Sequence, residues 1–515
     1  MEASQASTTL PDAPVGPGLR VPAFERLAAR PGLLVWGALA AALAAIFLVH
    51  VPVLDHYFFG DDSVPFADIE SKSAWRYISD VFLMRDPTPN WRFLTGIEYL
   101  IVYRAFGFNA LPFMLVAVLA HTATAGLIFF FVYRTTRAVW TAFLAACFFG
   151  LTSASAPTVG QVTAVNNVLA GFFIMLAIIT LYEGLDRGPP LGWWLVASVA
   201  SFAAAIASNE SSAVLAPVLA LIIAWKATDS PEWWREPQQW LRVAWLSAPY
   251  ALLGGAALIG FAACGCTEQG KEGVSSLGDH VAGNFWIYLG RLLYPVGMEF
   301  PGKPGDAHLV AGLVLLGLVV AMAVRGPALA RICAVYLFLA LVSYVTITFA
   351  LAPRYVYAAS IPFSILAALL FAEVARYAGR LSPALPVALG VVALGVLGVY
   401  SWQTWTQNGD FEARTAEWRD LVANVQERYP EPPPGSAVVV RGGPLTSPLW
   451  QFTVLPAYGR VLWGDAGLLT APDGTTEFCR PYGGLFVLDY DGGRYTSVAR
   501  DAVAAVDCEA QLQPE

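Results

Sequence analysis

The sequence predicts an all-α polytopic membrane protein of about eleven transmembrane helices, followed by a small C-terminal extracytoplasmic α/β domain. Three observations carry that prediction. Only 13% of the 515 residues are charged and 57% are hydrophobic, with a mean hydropathy of +0.57, whereas soluble chains carry about 25% charged residues. Apolar runs long enough to cross a bilayer as helices recur along the chain. Beyond residue 402 these runs stop, and Pro/Gly breakers and strand-like alternation take over.

Taken in order, residues 1–30 are rich in Pro, Ala and Ser and carry Arg20, Arg26 and Arg30, which predicts a disordered cytoplasmic N-terminus. The next run has no small-x-small cleavage pattern before the charged loop, so it reads as an uncleaved first span rather than a signal peptide. Spans are expected near 31–54, 110–133, 138–153, 166–184, 191–208, 210–227, 240–263, 307–324, 331–351, 358–375 and 383–402. The membrane domain is therefore 31–402, with two long loops at 55–109 and 264–306. The tail, 403–515, should begin with a helix over 412–429 and break at Pro430-Glu431-Pro432-Pro433-Pro434-Gly435. It continues with a strand at 437–441 and a hairpin joining 485–490 to 494–498 through Asp491-Gly492-Gly493. No internal repeat is visible.

Orientation follows from basic residues in the short loops. Arg134, Arg137, Arg187, Lys226, Arg235, Arg242, Arg325, Arg331, Arg376 and Arg380 fall on one side; loops 154–165 and 208–210 hold none, and 352–357 holds only Arg354. The basic side is expected to be cytoplasmic, which places both long loops and the tail outside. The net charge of −8 says little about partners, because acids and bases sit on different sides of the membrane. Basic residues never cluster, which excludes a nucleic-acid surface. Arg outnumbers Lys and Ala is abundant, the usage of a GC-rich and hence bacterial genome, so the chain is expected in a bacterial cytoplasmic (inner) membrane.

Of the six cysteines, Cys147 and Cys333 lie in apolar helices and read as core packing. Cys479 and Cys508 suit a disulfide in an oxidising compartment. Cys264-Gly265-Cys266 fits either a strained local bridge or two free thiols.

The chemistry-bearing feature is Gly60-Asp61-Asp62, just beyond the first span. A carboxylate in a water-poor cleft can take a proton from a nucleophile, and a second acid beside it raises its pKa or shares a metal. The same dipeptide also suits a solvated turn. Two amphipathic helices follow, 68–84 with Ile69, Trp75, Ile78, Phe82 and Leu83, and 91–107 with Phe93, Leu94, Ile97, Leu100, Ile101 and Tyr103. Both are expected to lie on the lipid surface, separated by Pro87, Pro89 and Asn90. Trp193-Trp194 and Trp233-Trp234 read as interfacial belts.

The order of these features resembles the GT-C membrane glycosyltransferases that use polyprenyl-phosphate sugars. The resemblance is closest to the protein O-mannosyltransferase-like branch, which includes the transmembrane and tetratricopeptide-repeat mannosyltransferases. It rests on Gly60-Asp61-Asp62, Trp91-Arg92-Phe93-Leu94-Thr95 leading to Phe106-Gly107-Phe108-Asn109, Leu119-Ala120-His121, Ser208-Asn209-Glu210, and Arg354-Tyr355-Val356-Tyr357, in that order over residues 30–375. The tail stretch Tyr458-Gly459-Arg460-Val461-Leu462-Trp463-Gly464-Asp465 is similar to outward tails of some bacterial relatives, with no role attached. Two departures stand out: the tetratricopeptide part is missing, and Asn209 stands where such proteins often carry Lys before the Glu.

The resemblance implies a polyprenyl-phosphate sugar donor, a protein, glycan or lipid acceptor, and transfer with inversion, with Asp61 or Asp62 as general base and Asp61 favoured. Arg354, Tyr355 and Arg92 would bind the donor phosphate, and Glu210, His121 and Asn166 would line the substrate cavity. Each has an ordinary alternative: Arg354 and Arg92 as headgroup anchors, Glu210 as a helix-dipole charge, His121 as a core histidine, Asn166 and Asn167 as caps. No cofactor is expected, although an acidic pair can hold Mg²⁺ or Mn²⁺ through oxygen ligands. A transporter or flippase of lipid-linked glycans, and a non-catalytic assembly subunit, are the competing functions. Spans nearly free of charge favour surface chemistry over translocation.

Overall fold

A computed structural model describes residues 31–83, 85, 92–188, 192–227, 235–264, 278–295, 304–348, 353–433, 436–441, 455–464, 467–471, 477–479, 484–491, 494–497 and 504–506. The helices in chain order are α1 (Pro31–Val49), α2 (Val64–Ser71), α3 (Ala74–Phe82), α4 (Phe93–Phe106), α5 (Ala110–Thr136), α6 (Val139–Gly150) and the single turn α7 (Ala156–Val159). They continue with α8 (Val165–Arg187), α9 (Gly192–Ser208), α10 (Ala216–Ala227), α11 (Pro237–Cys264), α12 (His280–Leu293), α13 (Asp306–Arg325), α14 (Ala328–Val342), α15 (Tyr357–Leu381), α16 (Ala384–Arg428) and α17 (Leu455–Trp463). Short 3₁₀ turns at Gly60–Ser63, Val162–Ala164, Glu210–Leu215 and Pro353–Val356 connect several of them.

Each apolar run read as a span is helical over most of its described residues, the run 331–351 only as far as Val342. Among the described residues eight helical stretches are long and apolar enough to cross a membrane, which makes this an integral membrane protein. Three of the expected spans, α6, α9 and α14, are shorter, at 12, 17 and 15 residues. Twelve residues reach only about 18 Å, short of the about 30 Å hydrocarbon core. Trp240, Trp245, Leu252 and Ile259 of α11 and Val310, Leu313 and Val324 of α13 are exposed, the expected state of a helix whose outer face meets lipid. At the basic end of the bundle, Arg134 of α5 pairs with Glu183 (2.7 Å) and Asp186 (3.0 Å) of α8, and Lys226 of α10 pairs with Asp186 (2.8 Å).

The first loop departs from expectation. The single amphipathic helix over 68–84 is two helices, α2 and α3, broken at Lys72 and Ser73; Ser73 caps α3 by accepting from the Arg76 N–H at 3.3 Å. Lys72 bridges the break through Asp68 (2.7 Å) and Asp80 (3.3 Å). Ile69 is fully buried rather than lipid-facing, whereas Trp75, Phe82 and Leu83 are exposed. An aromatic cluster seats the loop on the bundle: Phe66 stacks on Tyr103 (5.2 Å), and Phe58 stacks on Phe108 (4.3 Å) and meets Phe113 edge-on (5.9 Å).

The helix of the last span does not end at residue 402. α16 runs unbroken for 45 residues, about 68 Å, and absorbs the separate helix expected at 412–429. The polar residues that suggested a break find partners on neighbouring elements. Thr404 donates to Leu151 O (2.8 Å), Gln407 to Pro295 O (3.2 Å) and Asn408 to Val49 O (3.4 Å).

The tail then folds as a four-stranded sheet in the order β2-β1-β4-β5, with β1 (Ser436–Arg441) parallel to β2 (Gly467–Ala471) and β4 (Gly484–Asp491). β4 pairs antiparallel with β5 (Arg494–Ser497) as the expected hairpin, and β3 (Glu477–Cys479) and β6 (Ala504–Val506) form a separate pair. α17 packs on α2 and β2. Its Tyr458, fully buried, stacks on Trp418 of α16 (5.1 Å) and meets Phe108 edge-on (5.7 Å), so the tail leans on the first loop.

Cys147 and Cys333 are buried free thiols. The side chains behind the Cys479–Cys508 and Cys264–Cys266 expectations, residues 1–30, Pro87, Pro89, Asn90, Trp91 and Trp233-Trp234 lie outside the described residues.

Trp418 is 1% exposed and links the rod to α17. Trp418→Ala should cost about 3–5 kcal/mol, read as a lowered thermal midpoint of the purified protein in detergent.

Candidate active site

The Gly60–Ser63 turn carries the acidic pair, and its geometry needs a glycine. Gly60 has φ +61°, a left-handed conformation that a side chain disfavours. The turn then sends the two aspartates in opposite directions. Asp62 is fully buried, and each carboxylate oxygen accepts a backbone N–H, Oδ2 from Phe59 (2.9 Å) and Oδ1 from Thr163 (2.8 Å). Asp61 is exposed; its Oδ1 accepts from the Thr163 hydroxyl (3.2 Å) and the Gln161 amide (3.4 Å). One residue, Thr163, thus orients both carboxylates from a segment a hundred positions away.

Burial pushes Asp62 up to about 7, aided by the charge of Asp61 and opposed by the two backbone N–H bonds. Asp62 is therefore a staple between the first loop and the 160–164 segment, and Asp61 is the carboxylate left exposed.

Gln161 extends the arrangement. Its Oε1 accepts from Arg354 Nη1 at 3.4 Å while its Nε2 donates to Asp61. The amide orientation is dictated, because guanidinium only donates and carboxylate only accepts. Asp61 and Arg354 consequently stand within about 9 Å of each other, the reach of one carboxamide and its two bonds. Arg354 sits in the Pro353–Val356 turn at the start of α15, with its guanidinium 5.5 Å from the ring of Tyr355. Tyr355 is buried, stacked on Tyr344 (4.8 Å) and edge-on to Tyr288 (6.3 Å), so its ring braces the turn from inside.

The other expected site residues separate into two places. Arg92 pairs with the buried Glu210 at 3.3 Å, joining α4 to the Glu210–Leu215 turn. Asn166 and Asn167 do not cap α8, whose N-cap is Ala164 with no side-chain bond. They belong to a buried polar chain instead. Asn167 donates to Asn166 Oδ1 (2.9 Å) and accepts from Asn209 (3.0 Å) and the Tyr344 hydroxyl (3.4 Å), and Ser211 bonds Tyr344 (2.7 Å). A narrow cleft opens beside this chain, lined by Asn167, Asn209, Ser211 and Tyr344 together with Gly171 and Leu215. Glu210 and Asn166 adjoin the cleft without lining it.

His121 is elsewhere. It is buried between α5, α6 and α15, with Nδ1 2.9 Å from the Tyr357 hydroxyl, Nε2 3.3 Å from Gly150 O, and the His50 ring at 4.9 Å. A histidine inside a bundle needs polar partners, and these supply them.

Mg²⁺ or Mn²⁺ finds a poor donor set here. Asp62 gives both oxygens to backbone N–H groups, and among the described residues no group of three His, Cys, Asp or Glu could hold a metal ion.

Sequence reasoning missed Gln161, Thr163 and Tyr344. The local signal is Gln161 with Thr163 in loop 154–165, whose other polar side chains are Ser155 and Thr158.

Because its pKa is raised, Asp62 holds its proton more tightly folded than unfolded. Its contribution to stability is full below the ordinary carboxylate range and declines as pH rises through about 7. Thermal melts from pH 5 to 8.5 should show this decline, and Asp62→Asn should abolish it. That variant should also lose about 1–3 kcal/mol, because an amide nitrogen would face one of the two backbone donors.

Among solved structures the chain is similar to ArnT from Cupriavidus metallidurans. The crystal structure bound to undecaprenyl phosphate shares 16% identity and a TM-score of 0.46, covering 85% of this chain and 86% of that one. The apo structure shares 16% identity and a TM-score of 0.44, covering 86% of each chain. No protein-family model and no curated protein matches the chain.

Proposed function

We propose that this protein is a GT-C-type membrane glycosyltransferase that moves a sugar from a polyprenyl-phosphate carrier to an acceptor hydroxyl on a protein, glycan or lipid. The carrying observation is that an exposed carboxylate, Asp61, and a guanidinium, Arg354, share one bridging amide at one end of a membrane bundle. A separation of at most about 9 Å is short enough for the two groups to act on one sugar carbon, one through an acceptor hydroxyl and the other through a phosphate oxygen.

In this reading Asp61 takes the proton of the acceptor hydroxyl as its oxygen forms a bond to the anomeric carbon. The bond from that carbon to the phosphate oxygen breaks, the electron pair leaves with the carrier's phosphate monoester, and configuration inverts. Arg354 offsets the charge that accumulates on the leaving phosphate, so no general acid is needed. Thr163 aims Asp61, and Asp62 holds the turn. The order of motifs supports the O-mannosyltransferase-like branch. The basic-residue asymmetry supports a bacterial cytoplasmic membrane with the N-terminus in the cytoplasm and the site and tail domain in the periplasm.

Full-length protein in nanodiscs, given a panel of polyprenyl-phosphate sugars and candidate acceptors, should yield glycosylated product by mass spectrometry. Asp61→Asn should lower turnover by about 10²–10⁴, and full turnover in that variant would end the base assignment. Arg354→Ala should impair donor use more than Arg354→Lys, which keeps the charge without the planar fork.

A further inference from the structure

Three consecutive clamps fix the backbone around Gln161. His56 places Nδ1 3.0 Å from Gly160 O, the Tyr99 hydroxyl donates to Val162 O at 3.1 Å, and the Thr163 N–H donates to Asp62 at 2.8 Å. The first clamp is tight: a Cβ on Gly160 would come within 2.9 Å of the His56 ring. All three clamping side chains come from the 56–99 region of the first loop. They hold the segment so that the Gln161 side chain falls between Asp61 and Arg354.

Opposite charges this close attract, which favours a direct ion pair. Such a pair would disable both groups at once, the carboxylate as a base and the guanidinium as a phosphate partner. Gln161 stands in the way. It satisfies each charge with a neutral dipole, at 3.4 Å on both sides, the long end of hydrogen bonding. Bonds that long are weaker than the charge-assisted bonds a phosphate would make to the guanidinium. The amide therefore keeps the charges apart at rest and yields to a charged ligand.

We infer that Gln161 is a positioning residue that acts as a neutral spacer, preventing Asp61 and Arg354 from collapsing into a salt bridge and so keeping the donor-phosphate site open. This rests on the glycosyl-transfer reading, in which Arg354 receives the phosphate. The spacer also marks the point of reaction. Its carbonyl sits where a phosphate oxygen would accept from Arg354, and its N–H sits where an acceptor hydroxyl would donate to Asp61.

The test is binding of farnesyl phosphate, a short polyprenyl monophosphate, to full-length protein in nanodiscs, measured by titration calorimetry. Gln161→Ala should weaken binding about tenfold, and Asp61→Asn added to it should restore binding to within about threefold of the wild type, because an asparagine cannot pair with Arg354 ionically. Gln161→Glu should also weaken binding, and Asp61→Asn should not rescue it, since the new carboxylate itself pairs with Arg354. Wild-type affinity in Gln161→Ala would overturn the spacer, as would a loss that persists in the double variant, which would mark a structural role. If the wild type binds no farnesyl phosphate, or Arg354→Ala binds it equally well, the glycosyl-transfer reading itself fails. Thermal midpoints measured in parallel identify any variant that does not fold, and Gln161→Asn, one methylene too short to span the gap, then replaces Gln161→Ala with the same expected rescue.

Discussion

Among the described residues the buried Asp62 meets no cation, and the rest of the site depends on how its carboxylate is satisfied. Each oxygen accepts one backbone N–H, one from its own turn at Phe59 and one from Thr163 across the fold. The first bond shapes the loop and the second binds that loop to the segment before α8. A buried polar group left unpaired is costly, so the carboxylate and the two amides that meet it fix each other's positions. Asp61, just before it in the turn, is then left at the surface with its direction set, and Gln161 and Thr163 are presented to it.

The membrane imposes the second constraint. Inside the bundle, backbone carbonyls and polar side chains cannot rely on water. The polar residues of α16 bond to Leu151, Pro295 and Val49, the asparagines of α8 bond to Asn209 and Tyr344, and His121 lies between Tyr357 and Gly150. These links cross between helices and fix the bundle's geometry at the end where the acidic turn lies. The same economy makes α16 one continuous rod from the membrane into the tail, on which Trp418 seats Tyr458 against the first loop.

Placing Tyr458 there gives the tail motif a location that its residues alone did not reveal. Its ring touches Phe108 of the first loop, and α17 lies on α2 beside the Gly60–Ser63 turn. The tail sheet is thus attached to the element that carries the acids.

The sequence by itself determined the helical runs, the near absence of charge in their spans, the hairpin in the tail and the place of an acidic pair just beyond the first span. Each of these is written in the local alternation or run length of a segment's own side chains. It favoured Asp61 but could not show that Asp62 is buried on two backbone N–H groups, recognise that Arg92 is engaged by Glu210, or find Gln161 at all. It also broke α16 at polar residues and placed Ile69 on the lipid face. Those outcomes were decided by partners far along the chain, 100 residues from Gln161 to Asp61 and 193 from Gln161 to Arg354. A hydrogen bond or ion pair between such positions leaves no periodic trace in either segment, so only the assembled tertiary structure could assign it.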